Sequence, residues 1–164
     1  MFKRVENNIN LAQVENEISN YWDEIDAFQT SLNNRKNDKI FRFYDGPPFP
    51  TGSPHYGNLL AGVIKDIVPR YWTMRGYYVE RRFGWDVHGL PIEMEVQKNL
   101  NLEDPQQIDE YGIGKFNEAC RTQVQTNTEN WEKITRKIGR WVDFENDYKT
   151  MDIDFMESVW WVFK

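Results

Sequence analysis

Residues 43–58 read Phe-Tyr-Asp-Gly-Pro-Pro-Phe-Pro-Thr-Gly-Ser-Pro-His-Tyr-Gly-Asn. Proline supplies no backbone N–H and fixes its own φ, so neither a long helix nor a central strand can run through this stretch. The pattern predicts a strand that ends before Asp45, a tight Gly/Pro loop to Pro54, and a helix opening near Tyr56. A strand-to-helix turn presents free backbone N–H groups and the positive end of a helix dipole, and both suit a nucleotide phosphate. His55 adds a side-chain donor there, and Gly57 lets a flat ligand approach the backbone.

The 164 residues are enough for one domain with a real core. Hydrophobic residues make up 40% and charged residues 28%, a globular balance that argues against disorder. A formal net charge of −6 argues against a broad basic face for nucleic acid, but a phosphate site needs only local charge. Cys120 is the only cysteine, so no internal disulfide can form, and it reads as a buried thiol in a reducing compartment. Met1–Asn10 contains no apolar core of a secretory signal, and no apolar run approaches membrane-spanning length. The expectation is a soluble, cytoplasmic protein.

Leu11, Val14, Ile18, Trp22, Ile25, Phe28 and Leu32 recur at helical spacing and predict one amphipathic helix. Ser31–Lys39 reads as a polar linker, so residues 1–38 form a helical extension and 39–164 an α/β unit. Ile40–Tyr44 is expected as a buried strand. A helix follows over 56–75, with Leu60, Val63, Ile67 and Tyr71 inward, Pro69 kinking it and Gly76 capping it. Tyr77–Phe83 is a second strand, and strand–helix–strand order implies a parallel pair with a crossover helix. Pro91 opens a helix to about Leu100, and Asp104-Pro105 marks another helix start. A long helix is expected over Lys115–Ile138, with Phe116, Val124, Trp131, Ile134 and Ile138 inward and Gly139 ending it. Trp141–Thr150 looks irregular. The last helix begins near Asp152 or Asp154, with Glu157 well placed for its N-terminal dipole. Two parallel strands are too few for a closed doubly wound sheet, so the sequence reads as the first part of a larger α/β protein.

Ligands of open parallel sheets bind outside the carboxyl ends of the strands. Two loops fall there. The first carries Gly46, Pro47, Pro48, His55, Gly57 and Asn58, and the second, Gly84–Pro91, carries Asp86 and His88. His55 is a candidate phosphate ligand or a structural hydrogen-bonding group. Asp86 is a candidate ligand carboxylate, while His88 reads first as a loop support and Trp85 as packing. Lys65 and Asp66 read as a solvated helix face, and Trp160-Trp161 as core or interface. The spacing of the two His and the single Cys offers no metal site.

His55-Tyr56-Gly57-Asn58 resembles the His-x-Gly-His motif of class I aminoacyl-tRNA synthetases. Asp45-Gly46-Pro47-Pro48, Lys65-Asp66-Ile67-Val68-Pro69-Arg70-Tyr71 and Gly84-Trp85-Asp86-Val87-His88-Gly89-Leu90-Pro91-Ile92-Glu93 narrow the resemblance to isoleucyl-tRNA synthetases. The tail, with Tyr148-Lys149-Thr150-Met151-Asp152 and Glu157-Ser158-Val159-Trp160-Trp161, is similar to the same family, and the likeness covers about residues 10–164. The resemblance implies the first half of a Rossmann-like catalytic domain behind an N-terminal helix. It also implies ATP-dependent activation of L-isoleucine and transfer to tRNA(Ile), with Mg2+ accompanying ATP. By the same analogy His55 and Asn58 face the ATP phosphates as catalytic groups and Gly57 lies under the adenine. Gly46 and Pro47 border the amino-acid pocket, and Asp86 pairs with the substrate ammonium.

Three departures stand out. Asn58 replaces the second His of the motif and can donate a hydrogen bond but carry no charge. Pro50 stands where a small residue is usual. The lysine-rich loop that closes over the phosphates, the editing insertion, the anticodon-binding region and any zinc site lie outside this sequence, so the 164-residue piece is expected to be inactive and poorly soluble alone. An alternative is a synthetase-like paralogue that binds nucleotide or a partner without charging tRNA. A further one is another nucleotidyltransferase sharing the His-x-Gly pair.

Overall fold

The computed structural model describes residues 8–164. The reading of a leaderless N-terminus falls largely on residues 1–7 and so lies mostly outside them. The described chain begins with α1 (Leu11–Glu24), whose N-cap Asn10 accepts the Gln13 N–H at 3.2 Å. The expected single helix is broken. Asp26 adopts left-handed backbone at φ 44° and separates α1 from α2 (Ala27–Asn33). A short polar side chain tolerates that conformation where the apolar residues around it would not. The apolar stripe is buried only at its end, at Leu32, with Trp22 and Phe28 half-buried. The Trp22 ring meets Trp141 edge-on at 5.3 Å and Phe28 lies 6.4 Å from the same ring, which seats the helical segment on the α/β part. Because α2 runs to Asn33, the polar connection is shorter than the linker expected from Ser31.

The expected parallel pair is present but brief. β1 (Lys39–Ile40) pairs with β2 (Tyr77–Tyr78), Lys39 opposite Tyr77 and Ile40 opposite Tyr78. The first strand is not buried: both of its residues are exposed, and the pairing ends where the Phe41 N–H donates to the Tyr78 carbonyl at 2.9 Å. Between them runs α3 (Tyr56–Met74), continuous through Pro69, with Gly76 closing it at φ +88°. Its inward face is the reverse of the one expected. Leu60 is 62% and Ile67 59% exposed, and Val63 and Tyr71 are exposed too. The buried positions are Gly62 and Pro69, flanked by half-buried Asn58, Lys65, Asp66, Arg70 and Thr73. Paired charges displace aliphatic side chains from this face. Asp66 accepts from Arg70 Nε and from the Trp141 backbone N–H at 3.1 Å, and Arg70 Nη2 donates to the Gly139 carbonyl. Lys65 and Asp66 are therefore working contacts and not a solvated face.

A second parallel pair follows. β3 (Arg82–Trp85) lies beside β4 (Asp143–Lys149), with Gly84 opposite Tyr148 and Trp85 opposite Lys149. The stretch read as irregular is thus a strand. Its many polar residues hide it, but the Arg82 side chain ties it down by donating to the carbonyls of Asn146 and Asp147. α4 (Leu90–Asn99) has Pro91 in its second position, and α5 (Pro105–Tyr111) begins with an Asp104/Gln107 capping box. α6 (Ile113–Lys137) is the long helix expected. Phe116, Val124 and Trp131 are buried, whereas Ile134 is half-buried and Ile138 exposed. α7 (Ile153–Phe163) has Asp154, not Glu157, in its first turn.

Ten buried side chains from β3, the loop behind it, α4, α6, β4 and the residue that leads into β4 make one core: Phe83, Trp85, Val87, Ile92, Val96, Phe116, Val124, Trp131, Val142 and Phe144. Phe83 stacks on Phe144 at 4.7 Å and tilts against Trp85 at 4.5 Å. Each such buried side chain contributes about 1.5–3 kcal/mol relative to exposure. The core thus fixes the carboxyl end of β3, where the second candidate loop starts.

Candidate active site

The first loop is held from below by a buried carboxylate. Asp45, with only 3% of its side chain exposed, lies 2.6 Å from Lys65 Nζ and accepts a bond from Arg140, itself 7% exposed. The Asp45 Oδ1 that faces Lys65 has no partner in hydrogen-bonding alignment, so that contact is an ion pair without a directed hydrogen bond. Lys65 also donates to the Gly46 carbonyl at 2.9 Å. Tyr148 Oη reaches the Asp45 carbonyl at 3.4 Å, and burial, then the Asp45 charge, hold its phenol above the usual tyrosine range.

The far end of the loop is clamped by α6. The Trp131 indole N–H donates to the Gly52 carbonyl at 2.8 Å, and Asn130 Nδ2 approaches Ser53 Oγ at 3.5 Å. Gly46, Pro47, Asn58, Lys65, Trp131 and Arg140 share the wall of a cavity of about 220 Å3 beneath the loop.

At the mouth of α3, His55 is the N-cap. Its Nδ1 accepts the backbone N–H of Gly57 at 3.1 Å and of Asn58 at 3.4 Å, and the Asn58 Oδ1 accepts the His55 N–H at 3.0 Å. An Nδ1 that accepts leaves the ring proton on Nε2, so the neutral imidazole offers a donor. A side chain on Gly57 would come within 3.0 Å of the imidazole. A larger residue there would push the ring away from its cap by a few tenths of an ångström.

The second loop meets the first through the backbone, where the Asp86 N–H donates to the Pro48 carbonyl at 2.9 Å. The Asp86 carboxylate is half-buried and accepts from Thr150 Oγ1 at 3.4 Å. Thr150 Oγ1 also accepts the Val87 N–H at 3.0 Å, so the turn that leaves β4 supports this loop. His88 stands apart. It is exposed and lines a separate cavity of about 180 Å3 with Cys120 and Met151. Cys120 is half-buried, short of the full burial expected.

The structure therefore brings Gly46, Pro47, His55, Gly57, Asn58 and Asp86 into two linked loops and leaves His88 outside. Sequence reasoning missed Asp45, Lys65 and Arg140 as the support, and the indole donor of Trp131. A sequence signal existed only for Lys65, which points to the inward face once α3 is turned over.

A fold of parallel strands and crossover helices with a His-capped loop at the strand ends is that of a class I synthetase. A family model described as "tRNA synthetases class I (I, L, M and V)" matches residues 17–164, and the chain belongs to that family. Among curated proteins, the isoleucine--tRNA ligase of Chlamydia abortus is 56% identical over 94% of this chain and 15% of its own length. That of Bdellovibrio bacteriovorus is 52% identical over 99% and 15%. The Arabidopsis thaliana "Isoleucine--tRNA ligase, cytoplasmic" is 56% identical over 91% and 12%. The chain thus spans about 15% of the length of the first two relatives. Among solved structures, the Agrobacterium radiobacter K84 agnB2 LeuRS, from a ternary complex with tRNA and LeuAMS, superposes with a TM-score of 0.61 at 20% identity. That match covers 91% of this chain and 16% of the LeuRS chain, and it shows the shared fold.

Proposed function

We propose that the chain supplies the isoleucine- and ATP-facing loops of an isoleucine--tRNA ligase. In the whole protein an oxygen of the isoleucine carboxylate attacks the α-phosphorus of ATP in line. Pyrophosphate leaves and isoleucyl-adenylate forms. A terminal hydroxyl of tRNA(Ile) then takes the acyl group and AMP departs. Such a reaction needs positioning and charge stabilisation more than covalent help from the protein.

His55 Nε2–H, the Asn58 amide and the N-terminal dipole of α3 meet the phosphates, and Gly57 passes under the adenine. Gly46 and Pro47 border the isoleucine side chain, and Asp86 holds its ammonium. ATP would bring Mg2+ on its phosphates. Mg2+ would neutralise phosphate charge there. The name of the plant relative, "Isoleucine--tRNA ligase, cytoplasmic", favours the cytoplasm.

The observation that carries this reading is the Asp86 N–H to Pro48 C=O bond, because it fastens the loop of Asp86 to the loop that leads into His55. The test is isoleucine-dependent pyrophosphate exchange by the intact gene product. Asp86→Asn is expected to raise KM for isoleucine roughly 10- to 100-fold, the cost of a lost charged hydrogen bond, and to leave KM for ATP unchanged. Exchange that is independent of isoleucine overturns the reading.

A further inference from the structure

The loop ahead of α3 contains Pro47, Pro48, Pro50 and Pro54, so much of it has no backbone N–H with which to tie itself down. Among the described residues, two hydrogen bonds join the backbone of residues 47–54 to other elements. The Asp86 N–H holds the Pro48 carbonyl at 2.9 Å, and the Trp131 indole N–H holds the Gly52 carbonyl at 2.8 Å. The second is the last such anchor before α3, and it lies three residues ahead of His55.

The span between that anchor and His55 is stiff. Gly52 holds left-handed backbone at φ +60°. Ser53 precedes a proline, which restricts it to extended backbone, and Pro54 fixes its own φ. A displacement of the Gly52 carbonyl is therefore carried into the His55 cap and not absorbed on the way. The other side of the bond is equally fixed. Trp131 is 5% exposed within the core, where an indole N–H needs a partner. One turn earlier on α6, buried Asn127 donates to Glu95 Oε2 at 3.1 Å, and Gln123 donates to Glu95 Oε1 at 3.1 Å. Glu95 lies on α4, the helix that the Asp86 loop opens. One helix, α6, is thus the common reference for both loops.

We propose that Trp131 is a positioning residue for the nucleotide end of the site, a role that rests on the reading of His55 as a phosphate ligand. Its N–H fixes the Gly52 carbonyl so that His55 Nε2–H and the first turn of α3 stand where the ATP phosphates arrive. Misplacing a reacting group by 1 Å from a distant position costs up to about 100-fold in rate.

The test is a double-mutant cycle on pyrophosphate exchange by the intact gene product. Trp131→Phe keeps an aromatic ring in the core and removes the N–H. His55→Ser keeps a capping oxygen and removes the imidazole. Trp131→Phe is expected to lower kcat roughly 10- to 100-fold in the wild-type background and less than about 2-fold beside His55→Ser, because residues that act through one another are not additive. A residue that only supports the fold would cost the same factor in both. Ser53 is exposed, so Ser53→Gly loosens the span to His55 and leaves the core untouched. It is expected to slow exchange in the wild type and to add nothing beside His55→Ser, which decides the matter even where Trp131→Phe does not fold. Equal losses in the two backgrounds overturn the proposal, as does full activity of Trp131→Phe. Exchange that runs without isoleucine overturns the substrate reading alone, since the cycle is still read on ATP.

Discussion

The side-chain oxygen of Asn58 accepts the backbone N–H of His55 at 3.0 Å, while the His55 imidazole accepts the backbone N–H of Asn58 in return. The residue that departs from the family motif is thus committed through its oxygen to the helix cap, and only its amide N–H2 is free to meet a phosphate. Removing a donor aimed at a transition state costs on the order of 100- to 1000-fold, and an amide in place of an imidazolium costs part of that. Asn58→His is expected to speed isoleucine-dependent pyrophosphate exchange in the intact gene product. Asn58→Ala should slow it and destabilise the fold by about 1 kcal/mol through the lost cap, measured by urea unfolding. No gain with histidine refutes the assignment.

Asp45 neutralises two cations, one of them almost completely buried. Asp45→Asn keeps the shape and strands the Arg140 guanidinium. The expected loss is about 3 kcal/mol, in line with breaking a buried ion pair from one side. Chemical denaturation of the two forms checks it. A loss below about 1 kcal/mol would mean that water already screens the cluster.

Cys120 carries a pH dependence. Burial, and then the Glu93 carboxylate, raise its thiol pKa above the ordinary value. The folded state therefore holds the proton more tightly than the unfolded state does. The stability linked to this group is complete below the ordinary thiol range and is lost as pH rises through the folded pKa. Alkylation by iodoacetamide is expected to be slower in the native protein than in urea at mildly alkaline pH, with the difference shrinking as pH climbs. Equal rates would contradict the shift.

The loop and the helix it opens were legible because proline, glycine and an N-cap act locally, and local chemistry survives folding. The orientation of α3 was not. Leu60, Val63 and Ile67 have the spacing of a buried stripe, yet the face that packs is made of Gly62, Pro69 and charges whose partners Gly139 and Trp141 lie some seventy residues away. Hydrophobic periodicity cannot report a pairing at that separation. β4 was hidden for a related reason, since Asp143–Lys149 alternates poorly and is held by cross-strand contacts from Arg82 and Trp85. At the site the signature residues could be read directly, but Asp45, Arg140 and Trp131 gained their meaning only once the chain had closed on itself.

The bond from the Asp86 N–H to the Pro48 carbonyl makes the Gly84–Pro91 loop and the loop ahead of α3 one mechanical piece, and under the proposed function these take isoleucine and ATP. Steady-state constants for the two substrates cannot then drift independently in variants that bend either backbone. A change at Pro50, two residues past the shared carbonyl, should move the apparent affinities for ATP and for isoleucine together. A library selected for altered amino-acid preference would meet its constraint as impaired nucleotide use well before the pocket itself ran out of room.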